Sequence, residues 1–293
     1  MRNPASFGPT TTTEEVLDGI DLTGRLALVT GGSSGLGKET SRALAAHGAQ
    51  VILTARDVPK GEGVAAEIRS STGNPNVSVE ELELGSLASV RAFAERVLAK
   101  YPRLDLLINN AGVMACPQGK TSDGFELQFG SNHLGHFLMT CLLVPALRRG
   151  TAPRVVSLSS RGHHMSPVVF EDVPFEHRAY DKWLSYGQAK TANVLFAVGL
   201  ERCLGASGIH ANAVHPGAIV TELGRHLQPE DIMFLQSRAK GMQFKSVEQG
   251  AATSVYTATA PELADRGGLY LEDCHVAPVN DAPDALEGVK SYA

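Results

Sequence analysis

Short apolar runs alternate with amphipathic segments along most of the chain. The first pair is Arg25–Thr30, an apolar run bounded by glycine, and Leu36–His47, which ends before Gly48. Apolar runs of this length are typical of parallel strands buried on both faces. Further strands are predicted at 50–54, 77–82, 104–109, 154–158, 209–214 and 267–271, and helices at 58–70, 86–100, 121–149, 179–203 and 246–257. This alternation predicts an α/β fold, a Rossmann-type doubly wound parallel sheet covered on both faces by right-handed crossovers.

The composition supports one large core and argues against several classes of partner. Apolar residues make up 43% of the 293 residues, which is ample for a single core. The net charge of -5 comes from interspersed signs without a basic run, so we expect no nucleic-acid surface. The polar stretch Met1–Thr13 lacks an apolar segment, so we expect no signal peptide and no membrane span.

The cysteines follow neither a disulfide framework nor the spacing of a zinc site. They are scattered at Cys116, Cys141, Cys203 and Cys274. This pattern is typical of reduced thiols inside the cell. We therefore expect a soluble cytoplasmic protein without a metal site.

The domain organisation is predicted to be simple. Residues 1–24 are interpreted as an N-terminal arm, and residues 25–293 as one domain. Within it, about 221–245 mixes apolar residues such as Ile232, Phe234 and Phe244 with polar ones, which indicates either a substrate lid or a helix packed under the core. The last residues show no evident C-terminal element, so we expect a further tail after Ala293.

A glycine-rich turn lies between the first predicted strand and the first predicted helix. It reads Thr30-Gly-Gly-Ser-Ser-Gly-Leu-Gly37, which departs from G-x-G-x-x-G but still permits a tight turn and a close backbone approach. The helix that follows presents free N–H groups and a positive dipole end to a phosphate. The turn therefore predicts a dinucleotide site, with a plain strand-to-helix turn as the alternative.

The end of the second predicted strand bears on the choice of dinucleotide. An NAD site usually places an acid there to hold the ribose 2′-hydroxyl, whereas a nearby arginine accommodates a 2′-phosphate. Here Ala55 stands where the acid is expected and Arg56 follows it, while Asp57 is interpreted as a helix N-cap. The pattern favours NADP(H) over NAD(H).

A phenol and an ammonium are predicted to share one face of the helix at 179–203. Tyr186 and Lys190 are four residues apart, a spacing that places two side chains one above the other. A phenol with a pKa of about 10 is a poor acid–base catalyst at neutral pH, and a neighbouring cation lowers that pKa. A serine hydroxyl, from Ser159 or Ser160, would hold a substrate oxygen beside them. This trio would move a proton on and off oxygen and needs a hydride partner.

Five motifs in order resemble those of the short-chain dehydrogenase/reductase family. They are Thr30-Gly-x-x-x-Gly-x-Gly37, Asn109-Asn-Ala-Gly112, Ser160, Tyr186-x-x-x-Lys190 and His215-Pro-Gly217. The resemblance covers roughly Leu22 to the end of the chain and is closest to the retinol-dehydrogenase-like branch, as in Ser131-Asn-His-Leu-Gly-His-Phe137 and Gly268-Leu-Tyr-Leu-Glu-Asp-Cys274.

The resemblance implies a role for each matched residue. Tyr186 would be the acid–base residue, Lys190 would lower its pKa and hold the nicotinamide ribose, Ser160 would orient the substrate oxygen, and Asn132 would support a water-linked proton relay. The implied cofactor contacts are Gly31, Ser33, Ser34, Gly35, Leu36, Gly37, Arg56, Glu83, Leu84, Asn109, Asn110, Ala111, Gly112, Tyr186, Lys190, Pro216, Gly217, Ile219 and Thr221. Glu83-Leu84 departs from the family's usual Asp-Leu, and the histidines His133, His136, His163, His164 and His215 are interpreted as structural or loop residues.

The resemblance further implies an NADP(H)-dependent oxidoreductase that interconverts a carbonyl and an alcohol on a hydrophobic substrate. Two alternatives stay open: an NADPH-dependent reductase of carbon–carbon double bonds, and a dinucleotide sensor without turnover. By analogy with the family, pairing through the segments at 121–149 and 179–203 would give a homodimer or homotetramer.

Overall fold

A single twisted sheet forms the centre of the protein. The computed structural model describes residues 3–238, 244–283, 285 and 287–293. The strands within these ranges are β1 (Leu26–Val29), β2 (Gln50–Ala55), β3 (Val77–Glu81), β4 (Leu106–Asn109), β5 (Arg154–Leu158), β6 (His210–His215), β7 (Tyr270–Glu272) and β8 (His275–Val276). They are ordered β3-β2-β1-β4-β5-β6-β7-β8. Strands β1 to β7 are parallel and β8 runs antiparallel to β7, which confirms the predicted Rossmann-type fold.

Helices cover both faces of the sheet. Their bounds are α1 (Thr13–Leu17), α2 (Gly35–Ala46), α3 (Val58–Thr72), α4 (Leu87–Lys100), α5 (Leu127–Phe129), α6 (Gly135–Leu147), α7 (Lys182–Leu204), α8 (Pro229–Arg238) and α9 (Val247–Thr259). Asp57 caps α3 by accepting a hydrogen bond from the Lys60 amide at 3.0 Å, as predicted. In the described part of the chain, no helix is both long and apolar enough to cross a membrane.

Two hydrophobic clusters, one on each face of the sheet, show why β1 is apolar throughout. Along β1, Ala27 and Val29 point into one hydrophobic cluster, while Leu26 and Leu28 point into the cluster on the opposite face. Successive side chains of a strand alternate between faces, so a strand covered on both sides needs apolar residues at every position. The order of the strands reverses between β1 and β4, the place at which doubly wound sheets form a ligand-binding crevice at the carboxyl ends of their strands.

The helix predicted over 121–149 begins later than expected and is not uniform. Residues 120 and 126 form a β-bridge around a turn in which Gly124 has a φ of +86°. The Glu126 carboxylate then accepts bonds from two amides at the start of α5, and a π-helical turn, Gly130–Leu134, joins α5 to α6. The prediction of one continuous helix over 121–149 was wrong. The turn at Gly124 keeps the residues up to Glu126 out of the helix, and the Glu126 carboxylate caps the point at which the helix begins.

Both ends of the chain pack onto the domain. The segment before β1 contains α1, whose Val16 and Leu17 are fully buried against α2 and α9, and the Phe7 ring meets the Tyr256 ring at 5.9 Å. The final strand predicted over 267–271 corresponds to β7, which begins later, at Tyr270. A tight turn through Asp273 then leads into β8, which the sequence analysis missed. A two-residue strand carries too little pattern to be predicted. After it, residues 287–293 fold back and pair with residue 279.

The proposed lid is described only in part. Thr221 is followed by a 3-10 turn, Glu222–His226, and by α8. Residues 239–243, which belong to the lid predicted over about 221–245, lie outside the described residues. Phe244 resumes the described chain, 59% exposed and bridged to Ala218.

Candidate active site

The glycine turn is shaped by close backbone contacts. Gly31 has a φ of +66°, and a Cβ there would lie 3.0 Å from the Ala111 Cα. A Cβ on Gly37 would overlap the carbonyl oxygen of Gly31. Four consecutive residues of the turn are partly exposed, namely Ser33, Ser34, Gly35 and Leu36. This cradle excludes side chains and leaves backbone at its surface, which fits the phosphates of a dinucleotide.

Thr30 ties the glycine turn to the loop after β4. Its hydroxyl accepts bonds from the amides of Asn110 and Ala111, each at 2.9 Å, and lies 2.9 Å from Nε2 of His136. The other nitrogen of His136, Nδ1, donates to the Asn132 carbonyl at 3.0 Å, so Nε2 must be the acceptor. Burial lowers the pKa of His136 to about 4 and keeps the ring neutral. One hydrogen-bonded chain therefore joins the glycine turn to the segment of Asn132.

Charged side chains gather where β2 and β3 end. The Arg56 guanidinium lies 3.6 Å from the Glu83 carboxylate, and both side chains are exposed. Lys60, in the first turn of α3, lies 3.0 Å from the Glu222 carboxylate. Glu83 also accepts a bond from the Gly85 amide at 2.8 Å, beside the buried Leu84. Lys60 and Glu222 were not predicted, although the Arg56-x-x-x-Lys60 spacing was visible in the sequence.

Ser160, Tyr186 and Lys190 meet in one cluster, in which Tyr186 and Lys190 are buried. The Ser160 hydroxyl lies beside the Tyr186 ring, which is only 4% exposed: a Cβ on Gly162 would lie 3.4 Å from the serine Oγ and 2.7 Å from the tyrosine ring. The Lys190 ammonium lies 5.5 Å from the centroid of the tyrosine ring and donates to the Leu158 carbonyl at 3.0 Å. Ser159, the alternative serine, instead donates to the Lys190 carbonyl at 2.8 Å. The trio expected from the sequence is therefore assembled with Ser160.

Burial dominates the titration of this cluster. Loss of solvent raises the pKa of Tyr186 to about 12, and the hydrogen bond with Ser160 only partly opposes that rise. Burial likewise lowers the pKa of Lys190 to about 8. The sequence analysis expected a lowered phenol pKa, whereas in the protein alone desolvation of the phenolate raises the pKa of Tyr186.

Asn132 holds the loop after β4 in place. Its side chain pairs with Val113 in both directions, accepting from the amide at 2.8 Å and donating to the carbonyl at 2.9 Å. A Cβ on Gly112 would lie 3.2 Å from the Asn132 amide oxygen and 3.8 Å from the Lys190 ammonium. Asn132 therefore lies close to the cluster, while its side-chain hydrogen bonds go to the loop at Val113. Behind it, the Asn109 amide donates to Thr140 at 3.0 Å.

The segment after β6 forms the opposite wall of the crevice. Gly217 has a φ of +95°, and a Cβ there would lie 2.8 Å from the side chain of Lys245, which is paired with Asp273. Pro216 and Ile219 are partly exposed beside it. Thr221 faces the glycine turn, since a Cβ on Gly35 would lie 3.4 Å from its side chain. The predicted cofactor residues from both walls are thereby brought together.

Gly162 belongs to the site and was missed by the sequence analysis. A Cβ on this residue would lie 2.7 Å from the Tyr186 ring. Its amide donates to the Ser160 hydroxyl at 3.0 Å. No spacing rule indicates such a contact, because it depends on how the turn after β5 meets α7. Among the described residues, no three His, Cys, Asp or Glu side chains gather as around a metal ion.

Comparisons with known proteins agree with this architecture. The family model described as short chain dehydrogenase matches residues 25–231. Retinol dehydrogenase 12 of Mus musculus is 45% identical over 255 residues, covering 87% of this chain and 79% of the relative. Retinol dehydrogenase 11 of Homo sapiens is 44% identical over 261 residues, covering 89% and 81%.

Solved structures share the fold across nearly the whole chain. The RhlG/NADP active-site complex of Pseudomonas aeruginosa superimposes with a TM-score of 0.70 at 26% identity, over 90% of this chain and 98% of the other. A short chain dehydrogenase of Burkholderia cenocepacia in complex with NADP gives a TM-score of 0.69 at 26% identity, over 90% and 99%. The chain therefore belongs to the short-chain dehydrogenase/reductase family of oxidoreductases, in its retinol-dehydrogenase-like branch.

Proposed function

We propose that this protein is an NADP(H)-dependent oxidoreductase that interconverts a hydrophobic alcohol and the corresponding ketone or aldehyde. The observation that carries the proposal is the meeting of three side chains: the Ser160 hydroxyl and the Tyr186 ring both lie against Gly162, and the Lys190 ammonium is 5.5 Å from the centroid of that ring. The cluster lies beside the loop after β4, at the carboxyl ends of the strands, where ligands of doubly wound sheets bind.

The chain's own groups divide the work of proton transfer. Bound NADP(H) would supply or accept the hydride. The Ser160 hydroxyl and the Tyr186 phenol hold the substrate oxygen between them, and in the reductive direction the phenol gives its proton to that oxygen. Lys190 stabilises the phenolate that forms, and burial of Tyr186 and Lys190 keeps bulk water from competing.

Each wall of the crevice has a part in holding the cofactor. The glycine turn and the first N–H groups of α2 take the phosphates, while Glu83 and Leu84 border the adenine. The nicotinamide end is bordered by Asn109, Asn110, Ala111, Gly112, Pro216, Gly217, Ile219 and Thr221. Arg56 and Lys60 supply positive charge for a 2′-phosphate, which supports NADP(H) as the preferred form.

The segment over about 221–245 is proposed as a lid over a hydrophobic substrate. In its described part, Ile232 and Met233 are exposed on α8, and the Phe234 ring lies 5.0 Å from Trp183 on α7. The Lys182 ammonium and the Asp231 carboxylate, 2.6 Å apart, fasten α8 to the first turn of α7. Two similar relatives are retinol dehydrogenases by name, which supports a bulky apolar alcohol as substrate.

The proposal is tested by following NADPH oxidation with aldehydes, aryl ketones, steroids and retinal. We expect Tyr186→Phe to lower kcat by at least about 100-fold, because it removes the acid, while NADPH binding persists. Tyr101→Phe is the matched control, since that phenol stands at the end of α4 and contacts Ser78 on β3, and its loss should leave turnover unchanged.

Each outcome of this assay points to one function. A fully active Tyr186→Phe variant would refute the assigned chemistry. Product analysis distinguishes alcohol formation from reduction of a carbon–carbon double bond. NADPH binding without turnover on every compound would instead favour a dinucleotide sensor.

A further inference from the structure

A fully buried histidine stands three residues after the proposed catalytic serine. His163 lies in the 3-10 turn Arg161–Met165 that begins directly after Ser160. Its Nδ1 lies 2.7 Å from the Ser160 carbonyl oxygen, and its Nε2 accepts a bond from the Lys290 amide at 3.2 Å. Because a backbone amide only donates, Nε2 carries no proton. The proton is therefore on Nδ1, and the ring donates to Ser160.

The far side of this ring is held by residues 287–293. The Tyr292 hydroxyl donates to the His163 carbonyl at 2.8 Å, and Nε2 of the neighbouring His164 donates to the Gly288 carbonyl at 2.9 Å. The Gly288 amide in turn donates to the Glu272 carboxylate on β7 at 2.7 Å. The segment is thus fastened to the turn after β5 and to the sheet at once.

The near side of the ring reaches the proton-transfer groups in two steps. The Ser160 carbonyl accepts from the backbone amide of His163 at 3.0 Å as well as from its ring. The Ser160 hydroxyl accepts from Gly162, whose backbone presses against the Tyr186 ring. A shift of the Ser160 backbone would therefore move the serine hydroxyl relative to the Tyr186 ring.

We propose that His163 is a positioning residue for catalysis: its ring ties the Ser160 carbonyl to the backbone at Lys290 and so fixes the serine hydroxyl against the Tyr186 phenol. The inference rests on the proposed function, because it gives the serine and the tyrosine a role in proton transfer. The alternative is that His163 only packs, since its ring centroid also lies 4.3 Å from that of His164 and 5.0 Å from that of Tyr270.

Two substitutions separate the two sides of the ring. His163→Asn keeps an amide N–H near the position of Nδ1 and gives up the acceptor for Lys290. His163→Gln places an amide oxygen near the position of Nε2 and leaves the Ser160 carbonyl without its side-chain donor. We expect the Gln variant to lose about tenfold in kcat and the Asn variant to lose clearly less, with the dissociation constant for NADPH unchanged in both. Equal losses would mean packing alone and overturn the proposal.

A double-mutant cycle with Ser160→Ala asks whether His163 acts through the serine. If it does, His163→Gln should cause no further loss of kcat once the serine hydroxyl is gone. A second full loss in that background, with Ser160→Ala itself impaired, would overturn the inference and leave the proposed function standing. A fully active Ser160→Ala variant would instead refute the serine's role in the proposed function, and this inference with it.

A spectroscopic measurement on the wild-type protein covers the case in which a variant fails to fold. Nitrogen-15 labelling of the histidines should show His163 as the neutral tautomer protonated on Nδ1, hydrogen-bonded through both nitrogens. A tautomer protonated on Nε2 would overturn the proposal, because the ring would then have no proton to give to Ser160.

Discussion

At the scale of single residues, Lys190 is a buried cation whose charged form is destabilised by the loss of solvent. Its ammonium is buried and donates to the Leu158 carbonyl, and burial lowers its pKa to about 8. Carbonyl reduction needs this charge to stabilise the Tyr186 phenolate. We therefore expect kcat for reduction to be constant below pH 8 and to fall above it, as the ammonium loses its proton. A pH profile at saturating substrate and NADPH measures this.

The variant Lys190→Arg identifies the titrating group. A guanidinium keeps its charge throughout this pH range, so any activity that remains should no longer fall near pH 8. An unchanged descending limb in this variant would assign the titration to another group. The high pKa of Tyr186, about 12, agrees with a phenol that is protonated and ready to give its proton throughout this range.

At the scale of elements, the ends of β2 and β3, the first turn of α3 and the 3-10 turn after Thr221 together form a charged rim. Lys60 and Glu222 join two of these elements at 3.0 Å. Such an exposed pair contributes little to stability, at most about 1 kcal/mol. Its cation is therefore free to exchange partners when a 2′-phosphate arrives.

This rim predicts how the cofactors are distinguished. Lys60→Met should weaken NADPH binding about fivefold and leave NADH binding nearly unchanged, because only NADPH carries the 2′-phosphate. Lys100→Met is the control, since Lys100 on α4 is an exposed cation that pairs with Glu80 of β3 at 3.1 Å. Fluorescence titration with both cofactors checks this. Equal weakening of both would place Lys60 at the pyrophosphate instead.

Strands and helices with a clear pattern of apolar residues could be predicted from the sequence, whereas contacts between distant segments could not. The strand β1 and the helix α7 follow from apolar periodicity, and Tyr186 and Lys190 follow from their spacing on that helix. By contrast, the π-helical turn at Asn132 and the short strand β8 leave no periodic signal. His163 was interpreted as a loop residue because its partners come from residues 287–293, more than a hundred positions away.

At the scale of the whole molecule, the fold buries several neutral histidines. Burial lowers the pKa of three of them, His133, His136 and His163, to about 4 and that of His215 to about 3. In the unfolded chain these rings bind protons near pH 6.5. Between pH 6.5 and about 4 the unfolded state therefore binds more protons than the folded state, and stability falls as the pH falls.

The free energy of unfolding, measured by urea titration, should consequently decrease as the pH is lowered from 7 to 5, by roughly 2 kcal/mol for each such histidine. His133→Phe tests one contribution, because the ring lies among Phe129, Phe137 and Phe196 and an aromatic side chain can keep that packing. The variant should show a shallower dependence on pH by about one proton, since it can no longer gain a charge on unfolding. An unchanged dependence would mean that His133 is charged in the folded protein, and that its bond to Asn193 outweighs the cost of burial.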